Sequence, residues 1–197
     1  GFVEISTDFS SVLCYNIYCM STNYEKLTGV AVPLGALYTK ENQIIGEFAD
    51  LIPFAEFCKK ASIKLIQLLP VNDSGTQSSP YSALSAYALH PIYIRLKDIE
   101  EFDEIYKTDE KFKKEYDLFL KDNKYANRYD YDSILNSKIN FLQKIFEQTE
   151  IYKNGKANKA LEKFIKDNPW VKTYSVYKRL KWNHMQALWK TWLESER

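Results

Sequence analysis

The chain has 197 residues, with 27 Lys and Arg against 26 Asp and Glu, and 45% of its residues are hydrophobic and 15% aromatic. This composition is typical of a globular protein with a packed core and excludes a disordered or fibrous chain. The formal net charge of +1 provides no excess of cations to neutralise phosphates, so we expect no nucleic-acid partner.

Cellular location is constrained by what the sequence lacks. Its apolar runs are far shorter than the roughly 18 residues that span a bilayer, so we expect no membrane association. The apolar segment at residues 12–20 has no basic residue before it, unlike a secretory signal. The three cysteines form no CxxC pair, which fits a reducing, cytoplasmic location. The two histidines offer no Cys/His zinc spacing, and no metal is expected.

Residues 1–28 are irregular, and regular patterns begin at a continuous apolar run over residues 29–34. Such a run predicts a strand buried on both faces. Asp50 then predicts the cap of a helix with apolar residues at i, i+3, i+4 and i+7, namely Leu51, Phe54, Ala55 and Cys58. A second apolar run at residues 64–69 follows closely. Strand, helix and strand at this spacing predict a parallel βαβ unit.

The segment after the second run, residues 70–81, is polar and rich in turn-forming residues. It follows the carboxyl end of a predicted parallel strand, which is where α/β folds bind their ligands. Residues 82–90 are predicted to form a short helix and residues 91–94 a third strand. Beyond Asp98 the chain is more highly charged and the pattern is helical.

Two helical stripes stand out in the second half. One repeats at i, i+4, i+7 and i+11 and consists of Leu135, Ile139, Leu142 and Phe146, with a stop predicted at Asn154 and Gly155. Asn168 and Pro169 separate a last helix. Its predicted shared face consists of Trp182, Met185, Trp189 and Trp192.

Candidate functional residues lie mainly in the 70–81 segment. Asp73 could bind a hydroxyl or orient a neighbour, but an Asp followed by Ser-Gly is more often a turn former. Tyr81 could stack on the apolar face of a sugar or belong to the core, and its placement favours neither. Glu47 and Asp50 precede a helix, where negative charge favours capping as the explanation.

The remaining polar candidates have plainer explanations. His90 is more readily a hydrogen-bonded structural histidine than a catalytic one, and His184 lies among tryptophans that we assign to a core. Asp130 and Asp132 belong to a Tyr-Asp-Tyr-Asp run that we expect to be a solvated loop. The chain has no serine or cysteine nucleophile with a recognisable base spacing and no phosphate loop with its lysine.

Four ordered segments together resemble the 4-alpha-glucanotransferases, the amylomaltases of glycoside hydrolase family 77 in the alpha-amylase clan. They read Gly-Val-Ala-Val-Pro-Leu (29–34), Ile-Gly-Glu-Phe-Ala-Asp-Leu (45–51), Leu-Ile-Gln-Leu-Leu-Pro-Val-Asn-Asp (65–73) and Ser-Pro-Tyr-Ser-Ala-Leu-Ser-Ala-Tyr-Ala-Leu-His-Pro (79–91). Residues 168–174, Asn-Pro-Trp-Val-Lys-Thr-Tyr, are similar to a helical stretch of the same family.

The resemblance implies an α/β fold, the N-terminal portion of a (β/α)8 barrel. Residues 29–97 would supply its first β/α units and residues 98–197 a mainly helical subdomain. It implies transfer of α-1,4-glucan segments between maltooligosaccharides with retention of configuration, by an Asp nucleophile and a Glu acid/base. No cofactor is implied. The implied substrate-binding residues are Tyr81, which would stack on the sugar beside the scissile bond, with Ser79 and Asp73.

The resemblance also implies that the catalytic carboxylates of the family lie downstream of Arg197. We therefore expect an N-terminal fragment that is inactive alone, because residues 29–94 supply only about three of the eight strands of a barrel. One alternative is a non-catalytic glucan-binding or interaction module that uses Tyr81. Another is an unrelated α/β enzyme with a sugar or phosphate substrate on the 70–81 loop.

Overall fold

A computed structural model describes residues 2–4, 26–40, 42, 44–124 and 128–196. It divides into two compact units, residues 1–145 and 146–197. The boundary between the units falls within the segment predicted as a helical subdomain. Two of the three cysteines, Cys14 and Cys19, lie outside the described residues.

A three-stranded sheet lies in the first unit, with strands β1 (Phe2–Glu4), β2 (Gly29–Val32) and β3 (Leu65–Leu68) in the order β1-β3-β2. β2 runs parallel to β3, with Val30 opposite Ile66, and β1 is antiparallel to β3. The parallel strand–helix–strand prediction is therefore confirmed, while β1 falls in the stretch predicted to be irregular. The prediction that the first run is buried on both faces is wrong, because alternate residues of β2 are exposed at the edge of the sheet.

Helix α1 (Leu51–Lys60) connects the two parallel strands. Its predicted stripe is confirmed: Cys58 is buried and the other three stripe residues are half-buried, while most of the remaining positions are exposed. Pro53 lies in the first turn, where its missing N–H costs no helical hydrogen bond. Burial of Cys58 raises the pKa of its thiol, so this cysteine acts as a packing residue.

The segments between β3 and the helical part differ from prediction. Residues 82–90 contain bends and no helix, and Leu89 forms an isolated antiparallel bridge with Asn72. Pro91–Tyr93 is a turn of 3₁₀ helix and not a third strand. The reason is local: Pro91 has no N–H for a sheet ladder, and the Ile94 amide donates back to the Pro91 carbonyl at 3.1 Å.

Helices α2 (Phe102–Thr108), α3 (Glu110–Asn123) and α4 (Tyr131–Phe146) contribute most of the core. Aromatic rings pack edge to face within it, with the centroids of Phe112 and Phe141 5.4 Å apart. The buried cluster consists of Ile44, Ile45, Ile92, Leu96, Phe102, Ile105, Phe112, Tyr116, Phe119, Ile134, Leu135, Phe141 and Ile145.

The stripe predicted for α4 is correct in part. Leu135 is buried, Ile139 and Leu142 pack against the core, and Phe146 is exposed. The buried face is centred one position away from the predicted one, on Ile134, Lys138, Phe141 and Ile145. The buried lysine broke the apolar pattern, and its neighbours explain below why it is accommodated.

The second unit contains the end of α4 and helices α5 (Glu150–Asn154), α6 (Lys159–Asp167) and α7 (Trp170–Asn183). The stop predicted at Asn154 and Gly155 is present, with φ +66° at Gly155, but it ends α5. The helix for which it was predicted, α4, already ends at Phe146. The break before the last helix is confirmed, with Pro169 directly preceding α7. Described helices that are long and apolar enough to cross a membrane are absent.

The predicted aromatic face at the end of the last helix is wrong. α7 ends at Asn183, and Met185 and Gln186 have positive φ angles, so the helical spacing does not continue. Trp189 lies in a separate 3₁₀ turn, and Trp192 is buried with its ring stacked on His184 at a centroid distance of 5.2 Å. The four residues therefore share no helical face.

Candidate functional site

The candidate site is built on residues 70–90, called the site loop below, which follow β3. The base of the loop is closed by paired backbone segments. The Asp73 amide donates to the Ala88 carbonyl at 2.8 Å, and the His90 amide donates to the Val71 carbonyl at 3.0 Å. These bonds hold the polar middle of the loop at the carboxyl end of a parallel strand, as the sequence predicted.

Asp73 is buried, with 3% of its surface exposed, and its hydrogen bonds hold the site loop in its turns. Its Oδ1 accepts from the Gly75 amide at 2.8 Å, an Asx turn, and its carbonyl accepts from the Leu84 amide at 2.7 Å. Gly75 has φ +64°, and a Cβ there would lie 2.9 Å from the Leu84 side chain. The structure thus confirms the turn-forming role of Asp73, and a ligand-binding role stays a prediction.

Tyr81 is presented to solvent on the same loop, with 71% of its surface exposed. It lies within the turn closed by the Ser82 amide, which donates to the Ser79 carbonyl at 3.1 Å, and Ser79 is also exposed. Tyr81 therefore does not belong to the core formed by the described residues. The tyrosine and the serine hydroxyl are therefore available to a ligand, whereas Asp73 is not exposed beside them.

His90 connects the site loop to the residues that follow it and to the start of α4. It is 2% exposed, and its Nδ1 accepts from the Ile92 amide at 3.1 Å. The hydrogen-bond network thus assigns the ring proton to Nε2, which lies 3.1 Å from the Gly75 carbonyl oxygen and 2.7 Å from the Tyr131 hydroxyl. Burial raises the pKa of Tyr131. The prediction of a hydrogen-bonded histidine is confirmed.

An open cleft of about 430 Å³ lies beside the site loop. Thr76 and Ser78 line it from the loop, and residues just before and at the start of α4 line the other side. Those other lining residues are Arg128, Tyr129, Asp130, Tyr131 and Asp132. Hydroxyls, carboxylates, a guanidinium and phenol rings are the groups that bind a polyhydroxylated ligand by hydrogen bonds and ring contacts.

The sequence analysis missed this cleft. Asp130 and Asp132 are exposed, as predicted, but the loop prediction is wrong for Asp132, which lies in the first turn of α4. Both line a concave surface. The only sequence feature that could have indicated the cleft is the alternation of Tyr and Asp at residues 129–132. That alternation forms a cleft only because the site loop packs beside it. The predicted residues Tyr81, Ser79 and Asp73 are not among the residues that line the cleft.

Four buried or half-buried charges form a second polar centre, called the ion-pair cluster below: Glu47, Asp50, Arg95 and Lys138. Lys138 Nζ lies 2.5 Å from Glu47 Oε1, and Arg95 Nε lies 3.1 Å from Glu47 Oε2. Arg95 Nη2 lies 2.5 Å from Asp50 Oδ1. Two carboxylates thus face two cations, which is how buried charge is tolerated.

The capping explanation for Glu47 and Asp50 is confirmed for the 3₁₀ turn Phe48–Asp50 that precedes α1, where their side chains form a capping box. It does not extend to α1 itself. Asp50 makes no side-chain hydrogen bond to the first turn of α1, and its fully buried carboxylate accepts from Thr39, Asn42 and the Glu47 amide. Two acids do precede the helix, but the cations that pair with them, Arg95 and Lys138, lie 45 and 91 positions away in sequence. No local spacing could reveal them.

The pKa shifts of the two cations follow from this burial. Removal of water lowers the pKa of Lys138, although the Glu47 charge opposes that shift. For Arg95, burial also acts to lower the pKa, but hydrogen bonds and charges of Glu47 and Asp50 raise it overall. Lys138 further donates to the Ile92 and Ile94 carbonyls at 2.7 and 2.9 Å. The cluster ties α4 to the residues on either side of β3.

Comparison with known protein families gives a match over most of the chain. The family model described as 4-alpha-glucanotransferase, glycoside hydrolase 77, matches residues 32–197. This range includes the site loop, the ion-pair cluster and the cleft.

Individual relatives carry the same description. The chain is 31% identical over 166 residues to a 4-alpha-glucanotransferase of Chlamydia caviae, covering 83% of this chain and 30% of the relative. Identity to a Chlamydia pneumoniae 4-alpha-glucanotransferase is 29% over 186 residues, covering 90% and 34%. Identity to a 4-alpha-glucanotransferase of Oryza sativa is 32% over 157 residues, covering 76% and 16%. The chain thus spans about a third, or less, of the length of these relatives.

Proposed function

We propose a function from the family to which this chain belongs, the 4-alpha-glucanotransferases of glycoside hydrolase family 77. In this proposal the chain is part of an enzyme that transfers α-1,4-glucan segments between maltooligosaccharides. The proposed reaction retains configuration through an Asp nucleophile and a Glu acid/base. In this proposal residues 29–97 supply the first β/α units of a barrel, residues 98–197 its helical subdomain, and the enzyme is cytoplasmic. The family implies a TIM-barrel-like fold, and the parallel pair of β2 and β3 is compatible with it.

The observation that carries the proposal is the exposure of Tyr81 on a polar loop whose base is closed by backbone hydrogen bonds. The loop follows the carboxyl end of a parallel strand, where barrel enzymes bind their substrates. An exposed phenol ring offers an apolar face for a sugar, and an aromatic side chain loses little conformational entropy when it is immobilised. We propose that Tyr81 stacks on a glucose ring and that Ser79, exposed on the same turn, hydrogen-bonds to it.

The open cleft beside the site loop supports a longer glucan contact. Tyr129 and Tyr131 offer ring surfaces there, and Asp130 and Arg128 offer an acceptor and a donor for sugar hydroxyls. A volume of about 430 Å³ lies within the usual range of small-molecule sites. We propose that part of the glucan chain occupies this cleft while another part contacts Tyr81.

The reacting carboxylates of the proposed enzyme are assigned to residues outside this chain. Glu47 and Asp50 are held in the ion-pair cluster, so neither is poised to attack a sugar or to exchange a proton with one. Asp73 is buried in its own turn. We therefore propose that this chain contributes substrate contacts and has no transferase activity alone.

Isothermal titration of the chain with maltoheptaose tests the binding role. We expect saturable binding that Tyr81→Ala weakens by about tenfold or more, equivalent to about 1.4 kcal/mol. Tyr38→Ala is the matched control, because Tyr38 is also an exposed tyrosine of the first unit, and it should bind like the parent. Equal binding by the Tyr81 and Tyr38 variants would overturn the assignment of Tyr81.

An assay of glucose release from maltotriose tests the catalytic part of the proposal. We expect none from the purified chain, and glucose release would show that its own carboxylates are competent. Translation of the coding DNA beyond the Arg197 codon distinguishes the remaining alternative. Further barrel strands with an Asp and a Glu would support the transferase, whereas a stop codon would favour the non-catalytic glucan-binding module.

A further inference from the structure

A second cleft, of about 210 Å³, lies in the first unit and shares no lining residue with the cleft at the site loop. Its lining is dominated by positive charge. Among the described residues, the cationic side chains of the lining are Lys40, Arg95, Lys97, Lys124 and Lys138, against one carboxylate, that of Glu47. Such an imbalance is unusual for a chain whose formal net charge is +1.

The inner end of this cleft is electrically balanced. Both oxygens of Glu47 are engaged, one by Lys138 and one by Arg95, and Asp50 neutralises Arg95 further. The carboxylate of Glu47 is therefore not available to repel an anion as a free charge would. An anion in the cleft would therefore meet the remaining cations of its lining.

Two other lysines of the lining, Lys40 and Lys97, lie outside the ion-pair cluster. Both are exposed, and neither has an ion pair or side-chain hydrogen bond among the described residues. Arg95 adds a third group: its Nε and Nη2 donate to the ion-pair cluster, while its Nη1 donates to no described residue. A guanidinium fixed on one side and open on the other is preorganised to bind an oxyanion.

The other wall of the cleft is apolar and includes Ile44, Leu96 and Phe119. Lys40 and Lys97 are exposed, so water and salt screen their attraction for an anion, and the apolar wall reduces that screening only on its own side of the cleft. The volume is below the roughly 300–1,000 Å³ of pockets for drug-sized ligands. The cleft therefore suits a compact anion or the charged end of a small molecule.

We propose that this cleft is a phosphate site, which binds inorganic phosphate or the phosphate group of a small phosphomonoester. Lys40, Lys97 and Arg95 Nη1 supply the donors, and the ion-pair cluster holds Arg95 in place. Phosphate matches the site because its three or four oxygens accept from several cationic donors at once. The proposal does not depend on the glucan-transfer function.

Isothermal titration of the complete chain with sodium phosphate tests it, with sodium chloride added to keep the ionic strength constant. We expect saturable one-site binding that Lys40→Gln/Lys97→Gln weakens by about tenfold or more. Lys59→Gln/Lys60→Gln is the matched control. It removes the same charge from two exposed lysines at the end of α1, outside the cleft lining, and should bind like the parent.

The source of the phosphate group is identified by comparison with glucose 1-phosphate and glucose 6-phosphate. Tighter binding of an ester than of inorganic phosphate would support the site with the apolar wall holding the organic part, and equal binding would support it for the phosphate group alone. Absence of saturable phosphate binding by the parent chain would overturn the proposal. So would equal weakening by the cleft and control variants, because that result would reflect net charge only.

Discussion

The two units of the molecule contain similar helices but very different interiors. The first unit holds the whole aromatic core and the ion-pair cluster. In the second unit, Trp192 is the only buried hydrophobic side chain among the described residues. Stability should therefore be distributed unequally along the chain, because burial of apolar surface is the main favourable contribution to folding.

Helices α3 and α6 illustrate this difference in burial between the two units. Both are amphipathic and both begin with a capping side chain, Asp109 for α3 and Asn158 for α6. α3 buries aromatic residues against α2 and α4, whereas α6 buries none of its side chains. An apolar stripe thus defines the face that a helix can bury, while the amount buried depends on which elements pack on it.

The largest expected effect comes from breaking the ion-pair cluster. Glu47→Gln leaves Lys138, 3% exposed, without its carboxylate, and we expect a loss of about 3–5 kcal/mol in unfolding free energy measured by urea denaturation. Asp167→Asn is the control in the second unit, where Lys163 and Asp167 are both exposed. It should cost about 0.5 kcal/mol or less. Similar losses in the two variants would contradict the contrast between the units.

Truncation of one aromatic ring in each unit tests the same contrast in packing. Phe112→Ala removes a fully buried ring of α3 and should cost about 3–5 kcal/mol. Phe164→Ala removes a half-exposed ring of α6 and should cost about 1 kcal/mol or less. Urea denaturation gives both values. A loss from Phe164→Ala as large as that from Phe112→Ala would show that α6 is buried after all.

A smaller and local effect is expected at the start of α6. The Asn158 side chain accepts from the Leu161 amide at 2.8 Å, so Asn158→Ala should destabilise this helix by about 1 kcal/mol. Native-state hydrogen exchange should show faster exchange in α6 and none of that change in α4. Lys156→Ala, at an exposed position outside the helices, is the control. Faster exchange in α4 would mean that the two units unfold together.

The smallest effect at neutral pH is expected from Tyr116→Phe. Burial raises the pKa of Tyr116 above its ordinary value of 10.0. The folded state therefore keeps a proton that the unfolded state loses, and stability falls as the pH rises above about 10. The lowered pKa of Lys138 acts in the opposite direction, so the variant isolates the tyrosine.

Denaturation at several pH values checks this prediction. Tyr116→Phe should lose less stability between neutral and strongly alkaline pH than the parent, because it has no phenol to ionise there. Tyr38→Phe, at an exposed position, should follow the parent. Identical pH profiles for the parent and Tyr116→Phe would contradict the assignment.

Prediction from sequence succeeded where the determining contacts are local. The parallel βαβ unit, the stripe of α1, the Asn154–Gly155 stop and the break before α7 all follow from residue spacing and turn chemistry. It failed where a local pattern was extended too far. The spacing of Trp182 and Met185 fits a helix, but the backbone leaves the helical region after Asn183.

The candidate site shows the same division. The sequence identified the site loop and Tyr81 because a polar segment after a buried strand is a local feature. It missed the ion-pair cluster, since Glu47 and Lys138 are 91 positions apart. It also missed both clefts, since a concave surface exists only when distant segments are brought together.

The sequence by itself determined the family, the order of the main helices and strands, and the residues able to cap, turn or stack. Tertiary structure alone decided which acids became buried ion pairs, which amphipathic helices gained a core, and which lysines came to line a cleft. The physical reason is the sequence separation between the residues whose contacts determine each feature. Turns and helical stripes are set within a few residues of chain, whereas burial and charge compensation depend on segments that meet only on folding.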